Sequence, residues 1–245
     1  GHRRLSIIDL SIEGNQPFWS EDRKTAVVFN GEIFNFLELK DTLIKKGVNF
    51  RTSSDTEVLI NGYKVFGENI IHQLNGMFSF VIYDLSTGNI FCARDHMGIK
   101  PFYYHHKNNS IIIASELKAI ISALGYAEPD YSAIVTPMHF QTAPNTGFKN
   151  IKKLLPGHTL SFENNNLKIK EYWSLKSFKP EISNSKKHEQ KLDELLNDSV
   201  SKQMISDVPV GVLLSGGIDS SLIAALMSKN TKQTITSFNI RIMEK

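Results

Sequence analysis

Val210 to Leu214 is an unbroken apolar stretch of the kind found in strands buried on both faces. It gives way at once to a loop of small residues, Ser215-Gly216-Gly217-Ile218-Asp219-Ser220. A helix is predicted next, over 218–227, and then a second strand over 235–240. Strand, loop, helix and strand make a βαβ unit, and this restricts the fold more than any other feature. Its two strands have to be parallel, so the unit needs a parallel sheet to bury it. Two strands make only the beginning of such a sheet, and the chain of 245 residues is expected to end inside its second domain, with that unit incompletely covered and weakly stable.

The front half has a different texture. The run Ala26-Val27-Val28-Phe29 stops at Asn30-Gly31, which reads as a turn. Positions 36–46 show helical spacing (Leu37, Leu39, Leu43, Ile44) until Gly47, and 56–65 predicts a second helix with Val58, Leu59 and Val65 on one face. Hairpins are predicted from 77–83 with 89–93 and from 102–105 with 111–114. Glu116-Leu117-Lys118 opens another helix, and a strand pair follows at 157–162 and 167–173. Hairpins and helices in series specify an α+β domain with antiparallel sheets. The polar stretch 176–187 reads as a linker, and 188–206 as a helix with Leu192, Leu195, Leu196 and Val200 on one face. The expected domains are therefore 1–180 and 186–245.

Composition narrows the function classes. Lys+Arg number 28 against 25 Asp+Glu, and the basic pairs are scattered, which argues against nucleic acid as a partner. No apolar run reaches the length of a membrane span; Ile111-Ile112-Ile113-Ala114 is typical of the longest, so no membrane is expected. A single cysteine, Cys92, excludes an internal disulfide and fits a cytoplasmic location. It lies in a predicted buried strand and reads as a core residue. His105-His106 has no acidic or thiol partner at ligand spacing, so a metal site there is not expected. Tyr103-Tyr104 reads as packing, and Arg94-Asp95 as a structural ion pair.

The loop at 215–220 carries chemistry. Two consecutive glycines let successive N–H groups turn into one concavity, a nest for phosphate oxygens. The following helix N-terminus adds the positive end of its dipole, and Ser215, Ser220 and Ser221 add hydroxyls. Asp219 would repel a bare phosphate, so a magnesium-bound one is expected. No Gly-Lys-Ser/Thr follows, so this is not the Walker loop. The plainer reading is a tight turn capped by Asp219 or Ser220; with a strand before the loop and a helix after it, the nucleotide site is preferred.

Val208-Pro209-Val210-Gly211-Val212-Leu213-Leu214 with this loop resembles the pyrophosphate loop of the glutamine-hydrolysing asparagine synthetases. The resemblance runs back through Gly1-His2-Arg3-Arg4-Leu5-Ser6-Ile7-Ile8-Asp9, Phe29-Asn30-Gly31-Glu32-Ile33-Phe34-Asn35, Ser54-Asp55-Thr56-Glu57, Asn75-Gly76-Met77-Phe78, Arg94-Asp95-His96-Met97-Gly98-Ile99-Lys100-Pro101 and Leu155-Pro156-Gly157-His158, in the family's order. It implies a class II glutamine amidotransferase domain of the N-terminal-nucleophile type, a four-layer αββα fold, followed by the start of an α/β adenine-nucleotide hydrolase-like domain.

By that resemblance Arg4 would hold the glutamine α-carboxylate and Asp55 its α-ammonium, with Leu5, Ser6, Ile7 and Ile8 contributing backbone and Glu32 beside them. Asn30 and Gly31 would form the oxyanion hole. Leu213, Ser215, Gly216, Gly217, Asp219, Ser220 and Ile240 would bind ATP and pyrophosphate, with Mg²⁺ held through Asp219. The implied reaction amidates aspartate to asparagine through β-aspartyl-AMP, with glutamine as nitrogen donor and release of AMP and pyrophosphate. The family's nucleophile is a cysteine at the mature N-terminus. The chain opens at Gly1, so that cysteine is expected upstream and this chain alone is expected not to hydrolyse glutamine. A different carboxylate acceptor, a β-lactam-synthetase-like ring closure, and a non-catalytic glutamine- or nucleotide-binding fragment are the alternatives; a homodimer is left open.

Overall fold

The computed structural model describes residues 1–134, 141–180 and 184–240. The middle of the predicted linker, 181–183, lies outside the described residues. The chain forms two compact units, residues 1–5 with 11–178 and residues 6–10 with 179–245.

In the first unit a six-stranded antiparallel sheet runs β1-β2-β3-β4-β8-β9. Its strands are β1 (Phe18–Trp19), β2 (Thr25–Ile33), β3 (Gly76–Asp84), β4 (Ile90–Arg94), β8 (His158–Glu163) and β9 (Asn166–Glu171). A second sheet, β6-β5-β7, is made of β5 (Tyr103–Lys107), β6 (Ser110–Ala114) and β7 (Lys152–Lys153). The sheets face each other across Cys92 and Leu160 of the first and Tyr104 of the second, with Phe102 and Leu154 beside them. Helices α1 (Phe36–Lys45) and α2 (Asp55–Phe66) lie together, α2 on the outer face of the larger sheet. Helix α3 (Leu117–Leu124) packs on β5 and β6, and a single turn, α4 (Tyr131–Ile134), follows. Helix, sheet, sheet and helix are the expected four layers.

The expected hairpins form, each with strands shifted by no more than a residue or two. Asn30-Gly31 is not a turn. Strand β2 runs straight through it, because all nine residues from Thr25 to Ile33 pair with β3. The helical faces also differ. Phe36, Leu39 and Leu43 are buried on α1 whereas Leu37 and Ile44 are exposed, and Val65 of α2 is exposed as well. Spacing alone finds a helix; which stripe is covered depends on where the sheet lies.

The second unit contains α5 (Ser185–Gln203), β10 (Gly211–Leu213), α6 (Ile218–Asn230) and β11 (Thr236–Phe238). β10 and β11 are parallel, Gly211 opposite Thr236 and Leu213 opposite Phe238, as a βαβ unit requires. Val200, Val212, Leu226 and Met227 make its core. Leu192 and Leu195 of α5 are exposed, and of the predicted strand only Val212 is buried, so the doubly buried reading of 210–214 does not hold for these residues. Residues 6–10 belong to this unit: the Asp207 N–H donates to Ile7 O at 2.9 Å, and the Asp9 N–H donates to the Asp207 carboxylate at 2.7 Å.

Candidate functional site

Asp55 is the first residue of α2, and the sequence around it fixes that place. The Ser54 hydroxyl accepts from Thr56 N–H as N-cap, at 3.1 Å. Glu57, two residues further on, folds back and accepts from the Arg51 and Thr52 amides at 2.7–3.1 Å. That is the physical content of the Ser-Asp-Thr-Glu block: cap and counter-cap clamp the helix start, and Asp55 between them points at β2. Its Oδ2 accepts from Ile33 N–H at 3.1 Å.

Successive amides of β2 alternate in direction. Those of Phe29 and Ile33 face away from β3 and are taken by side chains, Phe29 N–H by Gln16 Oε1 at 2.6 Å and Ile33 N–H by Asp55. Gly31 lies between them with the same orientation. Its cross-strand partner Phe78 directs both backbone groups the other way, toward Asp95 (3.2 Å from Phe78 N–H to Oδ2, 2.8 Å from Asp95 N–H to Phe78 O). The Gly31 N–H therefore has no acceptor among the described residues. Beside it the Asn30 side-chain amide donates to the Ser115 hydroxyl at 3.3 Å. An unused backbone N–H and a side-chain amide on adjacent residues can together receive a negative oxygen. Gly31 has φ +155, and a Cβ there would stand 2.1 Å from Met77 O, so only glycine fits.

The charged groups act on one another. Burial above all pushes the Asp55 carboxyl up to about 6, although backbone donors and the Arg4 charge pull the other way. Glu32 is pushed up to about 7 by burial and by Asp55, against the pull of Lys100. Arg4 donates to Ser11 O at 3.2 Å, with its guanidinium over Gly14. Both carboxyls hold protons more tightly folded than unfolded, so ionising them opposes folding. Stability should fall as pH rises from about 4 through about 7, the reverse of a salt-bridged carboxylate. Urea unfolding at pH 5 and pH 8 checks this; equal stability in double variants carrying Asp55→Asn and Glu32→Gln would identify these groups as the source.

Other predicted positions fall elsewhere. The Leu5 side chain is exposed, and Ser6, Ile7 and Ile8 belong to the second unit. Arg94 and Asp95 do not pair with each other; each binds backbone, Arg94 through Lys100 O, Gly98 O and Leu154 O at 2.7–2.8 Å. His105 Nδ1 bonds Asn150 O at 2.8 Å. Gln16, Ser115 and Lys100 carry no role in the sequence reading. Gln16 and Ser115 sit outside any motif, and Lys100 sits in a block with no assigned partner. Cys92 is fully buried with its thiol pushed above the usual range by burial. Iodoacetamide should label it only after denaturation, which intact-mass measurement reads directly.

In the second unit the loop after β10 is preformed. Gly216 has φ +82, and Ser220 Oγ lies 3.0 Å from Ser215 Oγ and donates to Gly217 O at 3.2 Å. Ser221 Oγ donates to Gly217 O at 2.8 Å, and the helix α6 starts there with Asp219 in its first turn. The hydroxyls bond one another and line an exposed helix start, a donor set that suits phosphate oxygens. Leu213 and Ile240 are 80% and 94% exposed on their flanks.

Residues 1–173 match the family described as glutamine amidotransferase domain, and residues 191–245 match asparagine synthase. Over 243 residues the chain is 39% identical to asparagine synthetase (glutamine-hydrolyzing) 1 of Bacillus subtilis strain 168, covering 98% of this chain and 38% of that protein. A putative asparagine synthetase (glutamine-hydrolyzing) 2 of Methanocaldococcus jannaschii is 37% identical, over 94% of this chain and 48% of that one. The chain thus spans less than half the length of these relatives. Among solved structures, the B. subtilis glutamine phosphoribosylpyrophosphate amidotransferase complexed with ADP and GMP superposes with a TM-score of 0.50 at 20% identity, over 94% of this chain and 49% of that one. That likeness concerns the fold: mixed, antiparallel and layered. With 173 of its 245 residues matched, the chain belongs to the glutamine amidotransferase domain family.

Proposed function

We propose that the chain supplies the glutamine site and the start of the ATP site of a glutamine-hydrolysing asparagine synthetase, a cytoplasmic carbon–nitrogen ligase with domains at 1–180 and 186–245. The observation that carries the reading is the unused Gly31 N–H on β2, flanked by the Asn30 amide and by the buried carboxylate of Asp55. Arg4 pairs with the α-carboxylate of glutamine and Asp55 with its α-ammonium, with Glu32 and the backbone of Leu5 around them. Asn30 and Gly31 then face the side-chain carbonyl, where negative charge develops on attack by a thiolate. Cys92, the one cysteine of these 245 residues, is locked in the core, so this chain by itself binds glutamine without releasing glutamate.

In the second domain Ser215, Gly216, Gly217 and Ser220 bind the β- and γ-phosphates of ATP, while Leu213 and Ile240 flank the nucleotide. Asp219 would hold Mg²⁺, which when bound supplies positive charge to the leaving pyrophosphate. The aspartate β-carboxylate attacks the α-phosphorus and pyrophosphate leaves. Ammonia then displaces AMP from β-aspartyl-AMP and asparagine forms. Calorimetry of the chain with glutamine at pH 8 tests the first site, and absence of heat there removes the reading. In the full-length protein, AMP release should depend on both glutamine and aspartate; release with another carboxylate in place of aspartate would reassign the acceptor.

A further inference from the structure

Asp95 stands at the end of β4 with 1% of its surface exposed, and among the described residues its carboxylate has no cationic side chain bonded to it. Four backbone amides satisfy it instead. Oδ1 accepts from Met97 N–H at 3.1 Å and Ile99 N–H at 2.9 Å, and Oδ2 from Phe78 N–H at 3.2 Å and Lys100 N–H at 2.9 Å. Its own N–H donates to Phe78 O at 2.8 Å, and its carbonyl accepts from Gly98 and Gly157 at 3.1 and 2.9 Å. Arg94, next to it, supplies the complementary set, three guanidinium donors to loop carbonyls, and its own carbonyl accepts from the Tyr172 hydroxyl at 2.8 Å. The dipeptide is thus a hub in which an acceptor side chain collects amides and a donor side chain collects carbonyls. A buried carboxylate this fully bonded is rigid.

The hub acts on β2 through β3. Phe78 is gripped by Asp95 at both backbone groups, and Phe78 is the residue directly opposite Gly31. With no Cβ on Gly31, the two backbones approach too closely for any slack: Met77 O and Phe78 Cα would lie 2.1 and 2.7 Å from a Cβ. Displacing Phe78 therefore displaces Gly31.

We propose that Asp95 is a positioning residue of the glutamine site, setting the Gly31 N–H through Phe78. The proposal rests on the glutamine reading above. Asp95 touches no substrate; it acts through β3 and the 96–100 loop. Asn in its place has one acceptor oxygen and one NH₂, so it can serve either the Met97/Ile99 pair or the Phe78/Lys100 pair but not both.

The test is glutamine hydrolysis by the full-length protein and its Asp95→Asn variant, with folding checked by circular dichroism. A misplaced oxyanion donor lowers the rate without weakening ground-state binding, because Arg4 and Asp55 hold the substrate's other end. The kcat should fall by about 10- to 100-fold while KM for glutamine stays within about threefold. A folded variant with unchanged kcat overturns the proposal, and so does one in which the loss lies in KM. Should Asp95→Asn fail to fold, Asp95→Glu, which keeps both acceptor oxygens on a longer stem, is assayed in the same way: a fall in kcat at unchanged KM is expected, and an unchanged kcat overturns the proposal. A wild-type protein that binds no glutamine retires the underlying reading instead, a result separable from either variant outcome.

Discussion

Gly31→Ala should destabilise the first unit by about 3 kcal/mol or more and abolish glutamine hydrolysis in the full-length protein. Both losses have one geometric cause. The new Cβ would meet Met77 O at 2.1 Å and Phe78 Cα at 2.7 Å. These are backbone atoms of the neighbouring strand, so no side chain can swing away to relieve the overlap. Relief requires β2 and β3 to part within a ladder of nine residue pairs, and the amide that faces the proposed oxyanion moves with them. Alanine also tolerates φ +155 poorly. Gly47 is the internal comparison, since its φ is +85 but a Cβ there would meet nothing within 4 Å. Gly47→Ala should cost only about 1 kcal/mol of backbone strain. Thermal unfolding reads both variants: the first should lower Tm by roughly 6–12 °C, the second by about 2–4 °C. Equal shifts would mean that strand contact is not what excludes a side chain at position 31.

Asp55→Asn should produce opposite changes in binding and stability. Asparagine can still accept from Ile33 N–H, so the local frame survives. The negative charge proposed to face the substrate ammonium is lost, and glutamine affinity should fall on the order of 100-fold, as when one partner of a desolvated charge pair is removed. The free protein should nonetheless become more stable. Asp55 titrates at about 6 rather than 3.8, so the wild-type chain loses stability as pH rises between those values, and the loss persists above about 6. The variant escapes it and should gain up to ~3 kcal/mol at pH 8 while matching the wild type near pH 4. Calorimetric titration and urea unfolding at the two pH values measure the two effects. A variant that binds glutamine like the wild type would take Asp55 out of the site. A carboxylate held at such expense is what a binding group for a cation looks like before its ligand arrives.

Much of this was legible in the amino-acid order because the signals are local. Asn164-Asn165 turns β8 into β9, Ser54 and Glu57 clamp the start of α2, and Gly216-Gly217 bends the chain between β10 and α6. The blocks around Arg4, Asn30 and Asp55 also named the candidate residues in advance. What stayed hidden is what one strand does to another. Asn30-Gly31 has the composition of a turn, and only pairing with β3 across its whole length holds it extended. Arg94-Asp95 looks like an ion pair, and only the loop folded around it supplies the carbonyls and amides that each side chain prefers. Leu37 and Ile44 lie on a different stripe of α1 from Phe36, Leu39 and Leu43, and only the layer beneath decides which stripe is covered.

The sequence by itself determined the kinds of element, their caps and most of their turns, and named the candidates for a glutamine or phosphate site, since those follow from backbone freedom and side-chain chemistry over a few residues. The tertiary structure decided which donors are spent and which remain. Gly31 keeps its N–H because the Gln16 and Asp55 side chains occupy the amides on either side and Phe78 is turned toward Asp95, relations set by strand register and by burial, not by neighbours in the chain.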